Sequence, residues 1–386
     1  MIKKLHVKNY KSLKDLDLEL RKTNVLVGPN MSGKSNLIDC FKFLTQMCIS
    51  GVSKAFLDRG GFPEVAWKGE DSGPISFNLV IEQVADKRDS EKRYEYEISI
   101  TGSHTGLISI TREYLAVISS GQTLTLLDLR NGQGKGTHRD GSTAFTLGDP
   151  GIRSGLEFSV PGWEGNEFKD YISKWRYYRL IPAVMKQPNV TIAQQFLTEN
   201  GENFSSWFMT LQASYPEEFR LIKQVAKDVL LGLEEILTPP TQFGTTYVTT
   251  REKHLKQPVA LSHMSDGEVV FLALLSLIFA PAEFGAPLFC IEEIENHLHP
   301  RLLETIVEVY TQKQSERGPQ AAQVILTTHS PYLVDKMSLD DLIVVEKSDG
   351  ATKCIRPATK KHLRELLERE ELGLGELWYS GALGGN

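Results

Sequence analysis

The sequence predicts an α/β protein with a mixed, largely parallel core sheet, an antiparallel β subdomain and a helical insertion. Three observations carry that prediction. The last third alternates short apolar runs with helix-length segments, the pattern of a parallel sheet with crossover helices. Residues 75–145 read instead as successive hairpins. Residues 167–235 read as mainly helical around one short strand.

Each element has its own reason. HVKNY and DLDLEL near the start alternate with period two, as half-buried antiparallel strands do. NVLV at 24–27 is a short apolar strand. GPNMSGKS follows, and then LIDCFKFLTQMC, a helix with apolar positions at 37, 38, 41, 44 and 48. ISFNLVI, RYEYEISI, GLISITREYLAVI and TLTLLDL supply the hairpins. The glycine-rich RNGQGKGTHRDG at 130–141 reads as a loop or hairpin tip. NFSSWFMTLQ and PEEFRLIKQVAKDVLLGLEEI are the clear helices of the middle, with WRYYRLI as its strand. A short β segment follows TPP at 238–240. The last third then runs helix from 267, strand PLFCI, helix 300–314, strand QVILTT, short helix 331–337 and strand LIVVE. The linear division is 1–160 for an N-terminal lobe, 161–258 for the insertion and 259–386 for a C-terminal lobe.

Composition narrows the class. A chain of 386 residues with 41% hydrophobic residues can build two or three domains, or one α/β unit with insertions. A formal charge of −6 gives no global pull toward nucleic acid or anionic lipid. Cys40, Cys48, Cys290 and Cys354 form no CxxC pair and no metal spacing, which points to a reducing, cytoplasmic setting. The start, MIKKLHVKNYKSL, is strand-like and not a signal peptide. The longest apolar run, Val269 to Ala282, is broken by Ser276 and Pro281 and is too short to span a bilayer, so no membrane association is expected.

Four motifs carry chemistry. Gly28 to Ser35, GPNMSGKS, matches GxxxxGK[ST] between a predicted strand and a predicted helix. The loop N–H groups and the helix N-terminus suit phosphate, Lys34 suits the β- and γ-phosphates, and the Ser35 hydroxyl suits Mg²⁺. The bland reading is a glycine-rich turn that only caps a helix. PLFCIEE ends a strand in two carboxylates. Glu292 suits Mg²⁺ through its water shell and Glu293 suits the activation of a water. Many buried strands end in acids, so this motif gains its meaning from the first. TTHSP at 327–331 places His329 at another strand end, where it could meet a γ-phosphate or serve only structure.

The fourth motif is LSHMSDGE. Ser265 and Glu268 form a capping-box pattern, yet Gly267 occupies the first turn, where glycine costs about 1 kcal/mol against alanine. A small residue there makes sense if something large and negative approaches the backbone. The helix end lies 231 residues beyond Lys34 and has no lysine of its own. The two phosphate-facing ends would serve one nucleotide if they came from two molecules.

In order and in sequence these motifs resemble the ABC-type ATPases of the SMC and RecF class, specifically the RecF-like and OLD-type AAA family ATPases of prokaryotes. IKKLHVKNYKSL, GPNMSGKSN, LSHMSDGE, FCIEEIENHLHP, TTHSP and the ending LGELWYSGALGG carry the resemblance, over about 1–60 and 260–386. It implies an ABC-ATPase head, a P-loop NTPase, with ATP and Mg²⁺ as cofactors. Asn30, Ser32, Gly33, Lys34, Ser35 and Asn36 are then nucleotide-binding, and Ser265 and Gly267 bind the γ-phosphate held by the partner's Lys34. Ser35 and Glu292 serve the metal, Glu293 is the catalytic carboxylate and His329 the switch histidine. Asn296, His297 and His299 fall on the dimer-facing loop, which sets aside a metal-pair reading of HLH. Gln187 is the candidate for the Q-loop glutamine. Two departures stand out: Met31 where glycine is usual, and Glu292 where aspartate is usual.

The implied assembly is an ATP-dependent homodimer. Transporter subunits place the signature much nearer the phosphate loop. SMC proteins separate their lobes by long heptad arrays, and OLD nucleases add a Toprim domain; neither is expected here. One functional reading is an ATPase that gates a separate effector protein, as in prokaryotic anti-phage systems. The other is a RecF-like DNA clamp for repair or recombination, which Lys174-Trp175-Arg176-Tyr177-Tyr178-Arg179 would support by stacking and phosphate contact, unless that stretch is an amphipathic strand with snorkelling arginines. Retention of Glu293 argues against a third class, a scaffold that dimerises on ATP without hydrolysing it.

Overall fold

The computed structural model describes residues 1–69, 73–83, 91–103, 106–148, 152–281, 284–359 and 373–383. The last two glycines of the LGELWYSGALGG ending lie outside them. The chain divides into two compact units. One comprises Met1–Trp175, Gln323–Thr327 and Met337–Asn386, and the other Arg176–Ala322 and Thr328–Lys336. The first cut thus falls at Trp175, and the last third of the sequence contributes to both units.

The first unit contains an eight-stranded antiparallel sheet. Its order is Leu13–Glu19, Ile2–Tyr10, Ile75–Gln83, Lys92–Gly102, Ile108–Ser119, Gln122–Arg130, Gln133–Thr137 and Thr143–Leu147. Strand Ile75–Gln83 alternates buried and half-buried residues, as its HPHP pattern requires. Gly134 and Gly136 explain why the stretch 130–141, which reads as a loop or hairpin tip, also holds a strand between its two hairpin turns. A side chain at Gly134 would meet the Asp128 carbonyl, and one at Gly136 the Phe145 ring. These glycines permit close backbone and ring contact rather than a turn.

Four neighbouring strands of a mixed sheet run Gln323–Thr328, Thr23–Val27, Leu342–Ser348 and Ala351–Ile355, all in this unit except Thr328. Thr23–Val27 pairs parallel with Leu342–Ser348, Val25 opposite Leu342, and the last two strands are antiparallel. Helix Lys34–Ser50 leaves the end of Thr23–Val27 and buries Leu37, Ile38, Phe41, Leu44 and Cys48 as the sequence predicts. Its Phe43 stacks on Phe77 at 5.4 Å and meets Tyr10 edge-on at 5.5 Å, so the helix packs on the antiparallel sheet. Each such buried ring contributes about 1.5–3 kcal/mol.

In the second unit Arg176–Tyr178 and Leu288–Ile291 pair in parallel, Tyr178 opposite Ile291. Helices Phe204–Ser214, Pro216–Val229, Asp266–Ile278 and Pro300–Arg317 accompany them. The sequence reads LEEIL as the tail of a helix. Instead Gly232, at φ 83°, follows that helix, and Leu233–Leu237 pairs antiparallel with Thr249–Glu252. Helix Asp266–Ile278 is buried almost throughout, and its Ser276 hydroxyl is satisfied by the Trp207 indole N–H and the Ala273 carbonyl. Among the described residues, no helix is long and apolar enough to cross a membrane.

Candidate functional site

The phosphate loop in the first unit is shaped by close approaches. A Cβ on Gly28 would fall 2.1 Å from the Val345 carbonyl oxygen, and one on Gly33 1.9 Å from Thr352 Oγ1. Gly33, at φ 111°, caps helix Lys34–Ser50 without a side-chain hydrogen bond. The helix therefore presents its positive end at the loop. The Lys34 ammonium, almost fully buried, donates to the carbonyls of Gly28 at 2.8 Å and Pro29 at 3.0 Å. Asn30 and Ser35 are exposed. The Ser32 hydroxyl is buried inside the loop and has no hydrogen-bond partner. An orphaned hydroxyl, an ammonium and a helix N-terminus fit a polyphosphate.

Two residues that sequence reasoning missed hold this loop. Thr352 Oγ1 donates to the Ser32 carbonyl at 2.9 Å and is 2.7 Å from Ser12 Oγ. Asn36 donates its amide to Ser12 Oγ at 2.7 Å, so its side chain braces the loop. Met31 stands at φ 65° with 85% of its surface exposed. The left-handed backbone explains why glycine is the usual residue there.

The acidic strand end lies in the second unit. The Glu292 amide donates to the Tyr178 carbonyl at 2.9 Å, extending the parallel pairing to the first carboxylate. Glu293 then turns into the left-handed region at φ 50°, and His297 follows at φ 70°. The Asn296 amide donates to Glu293 Oε2 at 2.6 Å and orients that carboxylate. Glu292, Glu293, Asn296 and His297 line a cavity of about 370 Å³ together with Arg179 and Asn200. The buried Cys290 thiol just before them is pushed well above its ordinary pKa, chiefly by burial and further by Glu292. It is an inert core residue.

The signature helix starts as its sequence predicts. Ser265 Oγ accepts from the Glu268 amide at 3.2 Å, and Glu268 Oε2 accepts from the Ser265 amide at 2.8 Å. Gly267 has a reason within its own chain: a Cβ there would come 2.6 Å from the His297 carbonyl oxygen. The close approach that requires glycine is to the loop after Glu293. The Gln187 side-chain amide donates to the Ala183 carbonyl at 3.4 Å, while its neighbour Lys186 reaches Asp266.

His299 Nδ1 accepts from the Arg301 amide at 3.3 Å and caps helix Pro300–Arg317. His297 Nδ1 instead lies 3.8 Å from Asp266, so the two imidazoles of HLH have different partners. Among the described residues, no three His, Cys, Asp or Glu side chains cluster as a metal cage. The His329 amide donates to Glu295 Oε1 at 2.6 Å, a tie no motif announces. Trp175 and Tyr178 are buried, and Arg176 lies 4.2 Å over the Phe196 ring.

The phosphate loop, the acidic strand end and the signature helix are carried on the fold of an ABC-type ATPase head. Residues 23–335 match the family described as "AAA domain, putative AbiEii toxin, Type IV TA system", and the chain belongs to that family. Among solved structures it is similar to an SMC head bound to the C-winged helix domain of ScpA, with a TM-score of 0.57 and 15% identity over 92% of this chain and 97% of that one. It is also similar to a Pyrococcus furiosus Smc head with an extended coiled coil, bound to the C-terminal domain of ScpA. The TM-score is 0.54 and the identity 14%, over 96% and 99% of the two chains. These likenesses show the fold. No curated protein matches the sequence.

Proposed function

We propose that this protein binds ATP with Mg²⁺, hydrolyses it to ADP and phosphate, and dimerises around ATP to gate a separate effector protein in prokaryotic anti-phage defence. The observation that carries the reading is the phosphate loop, whose buried Ser32 hydroxyl and nearly buried Lys34 ammonium are arranged for an anion. Lys34 leaves its two carbonyl partners to neutralise the β- and γ-phosphates. Ser35 and Glu292 would hold Mg²⁺, which would supply charge neutralisation at the transferred phosphoryl group. Glu293, oriented by Asn296, takes the proton of the attacking water, and His329 senses the γ-phosphate.

Ser265 and Gly267 serve the partner molecule's ATP through the N–H groups of their helix end. The family description names a toxin and a toxin–antitoxin system, and both SMC heads were captured with a second protein. Both facts support a separate partner. Burial of Trp175 and Tyr178 takes two of the aromatic rings of 174–179 away from base stacking, which weakens the support for a DNA clamp.

Glu293→Gln keeps the shape and loses the base. It should bind ATP, turn over at least about a hundredfold more slowly and accumulate as an ATP-bound dimer, read by light scattering. Turnover near the wild-type rate would remove Glu293 from the chemistry. Wild-type turnover that rises only with duplex DNA would favour the clamp instead.

A further inference from the structure

Three segments of the second unit meet at Asp266. Lys186 follows the short helix Pro182–Met185, and its ammonium is 2.5 Å from Asp266 Oδ1. Only 18% of that lysine side chain is exposed. Asp266 Oδ2 faces His297 Nδ1 at 3.8 Å. The next residue, Gly267, lies against the His297 carbonyl, where a Cβ would stand at 2.6 Å. His297 keeps a left-handed backbone at φ 70°, as Glu293 does at φ 50°. Non-glycine residues persist in that region where their surroundings hold them. Here the surroundings of His297 include the first two residues of the signature helix.

The contacts form a chain. Lys186 fixes Asp266, and Asp266 with Gly267 bears on His297. His297 adjoins Asn296, which donates to Glu293 Oε2 at 2.6 Å. The Lys186 hydrogen bond holds the Asp266 carboxyl below its ordinary pKa, so that carboxylate is charged at neutral pH.

We propose that Lys186 is a positioning residue: by pinning Asp266 it holds the start of the signature helix against the loop 293–297, and so holds the Glu293 carboxylate in its working orientation. This rests on the reading of Glu293 as the water-activating carboxylate. A partly exposed ion pair contributes little to stability by itself. The expected effect is therefore on turnover and not on folding.

Lys186→Met keeps the apolar stem and removes the charge. It should melt like the wild type, bind ATP within about twofold and turn over about tenfold more slowly, whereas Lys186→Arg should recover most of the rate. Hydrogen exchange on the nucleotide-free protein provides a readout that needs no hydrolysis. Amides of 266–269 and 294–297 should exchange at least about fivefold faster in Lys186→Met and return toward wild type in Lys186→Arg. Unchanged exchange over those segments overturns the proposal. So does wild-type turnover in Lys186→Met, an equal loss in Lys186→Arg, or a melting temperature that falls in step with the rate. If the wild type hydrolyses no ATP, the proposed function fails separately, and the exchange data still decide whether Lys186 holds the two segments.

Discussion

Ser32 combines two requirements that oppose each other. Its hydroxyl is buried in the phosphate loop without a partner, an arrangement that costs a fold about 1–3 kcal/mol. A protein selected for stability alone would carry alanine there. Ser32→Ala should therefore raise the denaturation midpoint of the nucleotide-free protein by up to a few degrees and weaken ATP binding about tenfold. The two measurements have opposite signs, which a merely structural serine would not give. A variant that lost stability and kept its ATP affinity would show that Ser32 supports the loop rather than the ligand. At this scale the sequence discloses residues whose partners are near. GPNMSGKS and the Ser265–Glu268 box are local patterns, and the structure gives both the expected strand–loop–helix and capping geometry. Ser12 and Thr352 stayed hidden because the loop they brace is assembled from residues 340 positions apart. Glu295 stayed hidden because its bond goes to a backbone amide, which no side-chain pattern reports.

Among the elements, strand Ile108–Ser119 carries a carboxyl group whose titration is displaced into the neutral range. Its Glu113 is fully buried and accepts from the Tyr96 hydroxyl at 2.9 Å, the Gly155 amide at 2.8 Å and the Ser154 hydroxyl. Burial pushes its pKa from 4.5 up to about 7, against the pull of those three donors. The folded protein therefore binds a proton more tightly at Glu113 than the unfolded chain does. The stability tied to that proton is fully present below pH 4.5, falls as the pH rises through about 7, and is lost above it. Between about pH 5 and about pH 8 the loss should be about 2–3 kcal/mol in denaturant melts. Glu113→Gln cannot ionise and should lack that component, so the difference between the two proteins isolates it from the histidines they share. Parallel pH dependences would sink the assignment. The same scale shows where periodicity misleads. Alternating side chains marked Ile75–Gln83 and Lys92–Gly102, but Gln133–Thr137 has glycine at the positions that would alternate. LEEIL continues a helical rhythm across Gly232, and only pairing with Thr249–Glu252 makes it a strand.

At the level of the whole molecule, the proposal that Ser265 and Gly267 face another chain's nucleotide has an arithmetic consequence. Each closed two-fold dimer would have two sites, each built from one chain's Lys34 and the other's Ser265. Lys34→Ala removes the phosphate-binding charge, and Ser265→Arg blocks the signature helix end. Either variant alone should be inactive, since both sites of its homodimer are defective. After mixing and subunit exchange, about half of the dimers are mixed, and in each of those one site inherits both defects and the other neither. Activity should return to about a quarter of the wild-type level if the sites work independently. The structure gives Ser265 a capping bond and Gly267 a neighbour within their own chain, so the cis alternative has a concrete form. Under that alternative every site in the mixture keeps one defect and no activity returns. Coupling between sites could also silence a mixed dimer, so the exchange must be followed in parallel with differently labelled chains and ATP-dependent light scattering. A dead mixture with exchange and dimerisation both demonstrated would assign Ser265 and Gly267 to bracing the loop after Glu293. A quarter of the activity would place them in the partner's site, with the His297 contact as the support that aims them there.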